Sequence, residues 1–217
     1  SDVSHELRTP LAAMRAELEV ALRDKKLGKA DMRELLESNL EEVDKLTMLS
    51  KTLLQLSKLD HASLELETLD LAVIAQEVAQ RYDKNANRIT ISTPAKPLLV
   101  RINKASVEEL LTIFIDNALK YSPAGSKITI KLSRSGGKHA LFEIVNSGKG
   151  ITPADLPHIF DRFYRADLSR TTHGTGLGLS LAKKIVEMAD GELTVSSAPD
   201  QNTTFRVFLP IVKNTQA

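Results

Sequence analysis

Apolar positions in the first sixty residues recur with helical spacing. Leu7, Leu11, Met14, Leu18 and Ala21 stand four, three, four and three residues apart, a heptad-like stripe. The run Lys25-Lys26-Leu27-Gly28-Lys29-Ala30 interrupts it with the only glycine of this stretch. Asp31 is a candidate N-cap, with Glu34 three positions on. A second helix follows. Leu36, Leu40 and Val43 form one stripe, and Leu46, Leu49, Leu53 and Leu56 continue on an adjacent one. Residues 1–60 hold one proline, one glycine and no aromatic residue, and they are rich in strong helix formers. The pattern predicts two long helices in an antiparallel hairpin. One hairpin cannot bury two wide apolar faces. Two hairpins paired in a four-helix bundle can, so a homodimer is expected; the alternative is a long hairpin packed on its own second domain.

The periodicity weakens over residues 61–69, which read as a linker. A short helix from Leu71 to Arg81 follows. β-rich runs come at Arg88 to Ser92 and Leu98 to Ile102, then a helix from about Lys104 to Tyr121. Lys127 to Ser133 and Ala140 to Val145 alternate around Gly136-Gly137, the signature of a hairpin. A loop-rich stretch from Asn146 to Thr175 leads to a helix from about Leu177 to Ala189. Strands are expected at Glu192 to Ser197 and Thr203 to Pro210. This mixture predicts an α/β sandwich over residues 70–212, an open sheet with helices on one face, and a short tail at 213–217.

Composition narrows the classes without naming a chemistry. Apolar residues are 42% and charged residues 26% of 217, which excludes collagen-like and low-complexity chains. No apolar run approaches the roughly 20 residues of a membrane span. A net charge of +1 gives no global field for nucleic acid, so no nucleic-acid partner is expected. With no cysteine, disulfides and thiolate metal sites are excluded.

Candidate chemistry begins at His5. It lies two residues before Leu7, about 160° around the helix from the stripe, and is expected to face solvent. Thr9 follows one turn later, and Pro10 removes a backbone donor. His-Glu-x-x-Thr lacks the second histidine of a zinc-protease motif. The whole string Ser4-His5-Glu6-Leu7-Arg8-Thr9-Pro10-Leu11 resembles the phospho-acceptor box of sensor histidine kinases. The resemblance implies that His5 is the nucleophile taking the γ-phosphoryl group of ATP. Glu6 would orient the imidazole or accept its proton. Thr9 would position a water for dephosphorylation of a partner protein.

Four further segments resemble that family's ATP-binding domain, in the family's order. Asp116-Asn117-Ala118-Leu119-Lys120-Tyr121-Ser122-Pro123 is similar to the N box. There Asn117 would hold Mg²⁺ through its amide oxygen, Lys120 would face phosphate, and Tyr121 would lie against the nucleotide. The family usually places a second polar residue one turn earlier, where this chain has Ile113. Asn146-Ser147-Gly148-Lys149-Gly150-Ile151 resembles the G1 box. Its first residue is usually an aspartate that accepts from the adenine amino group. Asn146 would accept without charge, which weakens ATP binding by about tenfold. Gly148 and Gly150 would let the backbone approach the base, with Ile151 beside them.

Ile159-Phe160-Asp161-Arg162-Phe163-Tyr164-Arg165 resembles the F box. Phe160 and Phe163 would anchor a lid spanning about Arg165 to Gly174, and Arg162 or Arg165 could reach phosphate. Gly174-Thr175-Gly176-Leu177-Gly178-Leu179 resembles the G2 box, whose glycines and helix N-terminal amides suit phosphate. No Walker A sequence occurs, which argues against a P-loop ATPase.

The resemblance implies a dimeric four-helix bundle (1–60) followed by a Bergerat-type α/β sandwich (70–212). It implies ATP and Mg²⁺ as cofactors and a response-regulator receiver domain as partner. Because the sequence starts four residues before His5, sensor and membrane segments are expected upstream, with this part in the cytoplasm. Three rivals share some features. A gyrase-, chaperone- or mismatch-repair-type ATPase needs no surface histidine. A degenerate core serving as phosphatase or scaffold would fit Ile113 and Asn146. A purely structural bundle leaves the glycine boxes unexplained.

Overall fold

The computed structural model describes residues 2–24, 27–61, 65–82, 88–166 and 175–212; the side chains of residues 2, 3, 5, 6, 58, 60 and 61 lie outside that description. Two long helices open the chain, α1 (Asp2–Arg23) and α2 (Lys29–His61). α1 runs through Pro10. α2 begins three residues earlier than an N-cap at Asp31 predicts. Asp31 sits in its first turn and accepts from the Gly28 N–H at 3.2 Å. The side chain therefore reaches back to satisfy the residue before the helix, the reverse half of a capping box.

The hairpin is apolar on two sides, and the two stripes of α2 have different fates. Leu49 and Leu56 are buried, with Leu46 and Leu53 packed against the same cluster. Leu36 and Leu40 are 57% and 60% exposed, as are large parts of Leu11, Leu18 and Val43. α2 also packs against a helix of the second half of the molecule, Gly178–Met188.

That second half is built on a five-stranded mixed sheet in the order β2-β4-β5-β7-β6: β2 (Ile89–Ser92), β4 (Ile128–Ser135), β5 (His139–Asn146), β7 (Thr203–Pro210) and β6 (Glu192–Ser196). β2 pairs with β4 in parallel; the other neighbours are antiparallel. Positive φ at Gly136 and Gly137 closes the β4–β5 hairpin.

Alternation along each strand makes one face apolar. Ile91, Ile130, Ile144, Phe205 and Val195 lie in one cross-strand row, and Leu132, Phe142, Val207 and Leu193 in another. Helices α3 (Leu71–Tyr82), α4 (Lys104–Tyr121) and α5 (Gly178–Met188) bear the buried residues that complete this core. Phe114 of α4 is fully buried between Phe142 and Phe205, its ring centroid 6.0 and 5.3 Å from theirs. Polar residues occupy the other face, where Arg206 Nε meets Glu143 Oε1 at 2.9 Å.

One strand lies within the stretch read as linker. β1 (Glu67–Asp70) pairs antiparallel with β3 (Leu99–Ile102) in a separate two-stranded sheet. Asp70 Oδ1 receives the N–H groups of Ala72 and Leu98, which ties the start of α3 to the approach of β3. Among the described residues no helix is long and apolar enough to cross a membrane.

Candidate functional site

Residue 146 ends an apolar row. Ile89, Ile128, Asn146 and Thr203 are consecutive cross-strand neighbours on the core face, so the row turns polar where β5 gives way to a loop. Asn146 is 5% exposed. Its Nδ2 donates to the Ser147 carbonyl at 3.1 Å, which fixes the amide orientation. No protein donor meets Oδ1 among the described residues. Ser197 Oγ accepts from the Ile151 N–H at 3.0 Å and lies 2.7 Å from Thr203 Oγ1, anchoring the loop after Asn146 to the β6–β7 connection.

Glycines bring separate segments into backbone contact here. A Cβ on Gly148 would stand 2.4 Å from the Tyr121 carbonyl oxygen at the end of α4. One on Gly150, at φ +70°, would stand 1.9 Å from the Ala198 carbonyl oxygen. Gly176, at φ +69°, abuts the backbone of Phe163, and the Phe163 N–H donates to the Gly176 carbonyl at 3.0 Å. A Cβ on Gly178 would meet Ile113 Cγ2 at 3.5 Å. The four segments picked out by sequence thus converge on the C-terminal half of α4 and the N-terminus of α5. Ile113, a departure from the family pattern, is a buried apolar contact between those helices.

Around this convergence Asn117 and Ile151 are half-buried, and Lys120 and Tyr121 are exposed. Lys120 Nζ stands 4.9 Å from the centre of the Tyr121 ring. The ring of Phe160 meets Phe205 edge-on at 6.5 Å. Phe163 and Arg165 are half-buried and Arg162 is exposed. Leu177 is fully buried and precedes α5 without a side-chain cap, so the first N–H groups of α5 have no capping side chain. Thr175 and Leu179 flank it, half-buried. Thr9 is exposed on α1, in the hairpin and apart from these contacts. The side chains of His5 and Glu6, Gly174, and the lid between Ala166 and Thr175 lie outside the described residues.

Electrostatics mark two groups that the sequence reading does not. Tyr82, at the end of α3, shares a hydrogen bond with Asp116, the neighbour of Asn117. Burial, and then the Asp116 charge, push its phenol up to about 12. Local burial beside α3 raises the Asp116 carboxyl above its ordinary value, opposed by the Tyr82 hydroxyl. No local pattern announces this pair, because its members are on different helices. The second group is Asp155. The hydroxyls of Thr152 and then Tyr164 hold its carboxyl below the ordinary carboxylate range. The Thr152-x-x-Asp155 spacing is a turn signal that sequence could have supplied.

These contacts set two expectations. Gly148→Ala must push the loop off Tyr121, so nucleotide affinity should fall by about tenfold or more, read by titration against a melting curve that stays cooperative. For Asn146→Asp, a carboxylate gains charge toward an amino group but loses the bond to the Ser147 carbonyl. The Ser147 bond is made with and without nucleotide, so its loss costs stability of about 1 kcal/mol rather than affinity, and the added charge should tighten ATP binding by up to about tenfold. An unchanged or weaker affinity would overturn the contact of residue 146 with the adenine amino group.

Comparison with known proteins agrees with the geometry. Residues 102–213 match the family described as "Histidine kinase-, DNA gyrase B-, and HSP90-like ATPase", and residues 1–62 match "His Kinase A (phospho-acceptor) domain". The chain is 39% identical over 97% of its length to the signal transduction histidine-protein kinase ArlS of Staphylococcus epidermidis, and 35% identical over 95% to that of Staphylococcus aureus. It spans about half the length of these curated relatives, 47% in each case. Among solved structures, a histidine kinase AdeS from Acinetobacter baumannii shares the fold, with TM-score 0.71, 24% identity, and coverage of 96% of this chain and 98% of that one. The chain therefore belongs to the histidine kinase-, DNA gyrase B- and HSP90-like ATPases, in the two-component sensor histidine kinase branch that couples this domain to a phospho-acceptor hairpin.

Proposed function

We propose that this chain is the catalytic core of a sensor histidine kinase that phosphorylates His5 from MgATP. The observation that carries the proposal is the meeting of α4 with the Asn146–Ile151 loop at Gly148 and with the start of α5 at Gly178. It leaves a base-facing acceptor, Asn146 Oδ1, at one end and the uncapped N–H groups of α5 at the other. A nucleotide laid between them would put its base by Asn146 and its phosphates by Thr175 to Leu179 and Lys120.

In the transfer, a neutral ring nitrogen of His5 attacks the γ-phosphorus. An N–P bond forms, the bridging P–O bond to the β-phosphate breaks, and ADP leaves with that electron pair. Glu6 would take the proton from the other ring nitrogen. Asn117 offers a hard amide oxygen, the donor type that Mg²⁺ accepts beside phosphate oxygens. Mg²⁺, when bound, neutralises triphosphate charge. Arg162 and Arg165 would add positive charge, and Phe160 and Phe163 would support the lid.

The phosphoryl group would then pass to an aspartate of a response-regulator receiver domain, with Thr9 positioning a water that later hydrolyses that aspartyl phosphate to free phosphate. The exposed stripe of the hairpin would pair with a second copy, forming the bundle. Residues 1–60 would be the acceptor unit, 61–69 the connection and 70–212 the ATP-binding unit, in the cytoplasmic part of a membrane receptor.

Labelled MgATP should give an acid-labile phosphoprotein, and His5→Gln should take up no label. Label surviving in His5→Gln would sink the assignment. Thr9→Ala should keep autophosphorylation within about twofold while regulator dephosphorylation falls by about tenfold or more. Equal loss of both activities would point to helix damage instead.

A further inference from the structure

The turns between the two glycine loops hold a side-chain cluster that the phosphoryl transfer does not use. Thr152 Oγ1 donates to Asp155 Oδ2 at 2.6 Å, and the Asp155 N–H donates back to Thr152 Oγ1 at 3.2 Å. The other carboxylate oxygen, Oδ1, accepts from the Tyr164 hydroxyl at 2.6 Å. Both oxygens are thus engaged by hydroxyl donors, one on each side. The Tyr164 ring also leans on His158, with centroids 5.5 Å apart, and His158 Nδ1 is 3.0 Å from Asp161 Oδ2.

The held residue is next to a strained one. Phe163 has φ +65°, a left-handed conformation that a bulky side chain rarely adopts. Such a conformation persists only where its surroundings over-determine it. Here its two sides are fixed by different means. On one side Phe163 is joined to Gly176 by its N–H and by contact too close for a Cβ. On the other side is Tyr164, held at its far end by Asp155. Gly176 leads directly through Leu177 into α5. A path of contacts therefore runs from Asp155 through Tyr164 and Phe163 to the N-terminus of α5.

We propose that Asp155 is a positioning residue: by fixing the Tyr164 hydroxyl it locks Phe163 in its left-handed conformation and so sets where Gly176 and the α5 N-terminus meet the nucleotide. This rests on the nucleotide-binding reading above. Asp155 acts through Tyr164 and needs no contact with ATP. Loss of the clamp should weaken binding of ATP without altering the chemistry on His5.

The test compares Asp155→Ala, Tyr164→Phe, their double variant and Asp155→Asn. Two quantities are read: hydrogen exchange of the Phe163 amide without nucleotide, and KM and kcat for autophosphorylation. In Asp155→Ala and Tyr164→Phe the Phe163 amide should exchange about tenfold faster, with Phe142 and Ile144 in the sheet centre unchanged. KM for ATP should rise about fivefold with kcat within about twofold. The double variant should be no worse than either single one, since both break one path. Asp155→Asn keeps an acceptor for Tyr164 and should stay within about twofold of the wild type.

Unchanged Phe163 exchange in Tyr164→Phe overturns the clamp. Unchanged KM in variants of an active wild type overturns its role toward nucleotide. Equal damage in Asp155→Asn, or multiplicative losses in the double variant, also overturn it. A wild type that takes no phosphoryl group from ATP overturns the reading of the site instead, and the exchange measurement then decides whether the clamp exists.

Discussion

Three contacts of backbone on backbone hold the candidate site together, and each is possible only because a side chain is missing. Gly148 lies on the Tyr121 carbonyl, Gly150 on the Ala198 carbonyl and Gly176 on Phe163. These join the end of α4, the β5 exit, the β6–β7 turn and the start of α5, which are remote in sequence. Glycine loses more backbone freedom on folding than other residues, by about 0.5–1 kcal/mol against alanine in regular elements. The offset comes from the neighbouring core. Phe114, Phe142 and Phe205 pack on one another in that core, and Leu177 and Leu181 anchor α5 fully buried. Rigid elements thereby bring flexible residues to fixed positions.

The polar end of the core follows from the same arrangement. A sheet face built of isoleucine, leucine and phenylalanine gives no group that can read a ligand. Placing Asn146 and Thr203 as the last pair of that face puts polar atoms at the core boundary without breaking the alternation. Ser197 then satisfies the Ile151 N–H at the loop, so the backbone leaving the sheet is not left unpaired. An aspartate at 146 would confront the Ser147 carbonyl with negative charge. The asparagine avoids this, because its Nδ2 donates to that carbonyl.

Much of this was legible in residue types and order. The heptad spacing marked both helices, alternation marked β4 and β5, and the four boxes marked the segments that converge. What sequence could not supply was pairing at a distance. β1 has one strongly apolar residue, Leu69, and gains strand character only from β3, some thirty residues on. Asp31 carried a capping signal, but whether it caps its own helix or serves the residue before it depends on where the turn from α1 closes. Ile113 looked like a lost polar contact. It is understood only once Gly178 is seen against it. Tyr82 and Asp116 gave no signal, since each is an ordinary residue on its own helix.

The two halves of the molecule differ in how far one chain completes them. The α/β half buries its sheet face under three helices, in a core that Leu49 and Leu56 of α2 also join. The hairpin leaves one apolar face open. Leu36, Leu40 and Val43 remain open while Leu49 and Leu56, further along the same helix, are buried. Within the open stretch sits Asn39, 7% exposed, with Nδ2 donating to Glu17 and to the Leu35 carbonyl and with no partner for Oδ1 among the described residues. A buried amide costs stability unless satisfied, yet it discriminates against sliding of α1 along α2, because a slip would separate it from Glu17. Register within one hairpin is thus tied down by a polar contact, while the apolar area left open awaits another surface. Burial of that area adds roughly 25 cal/mol per Å², so order in the segment bearing His5 depends on assembly more than order in the ATP-binding half does.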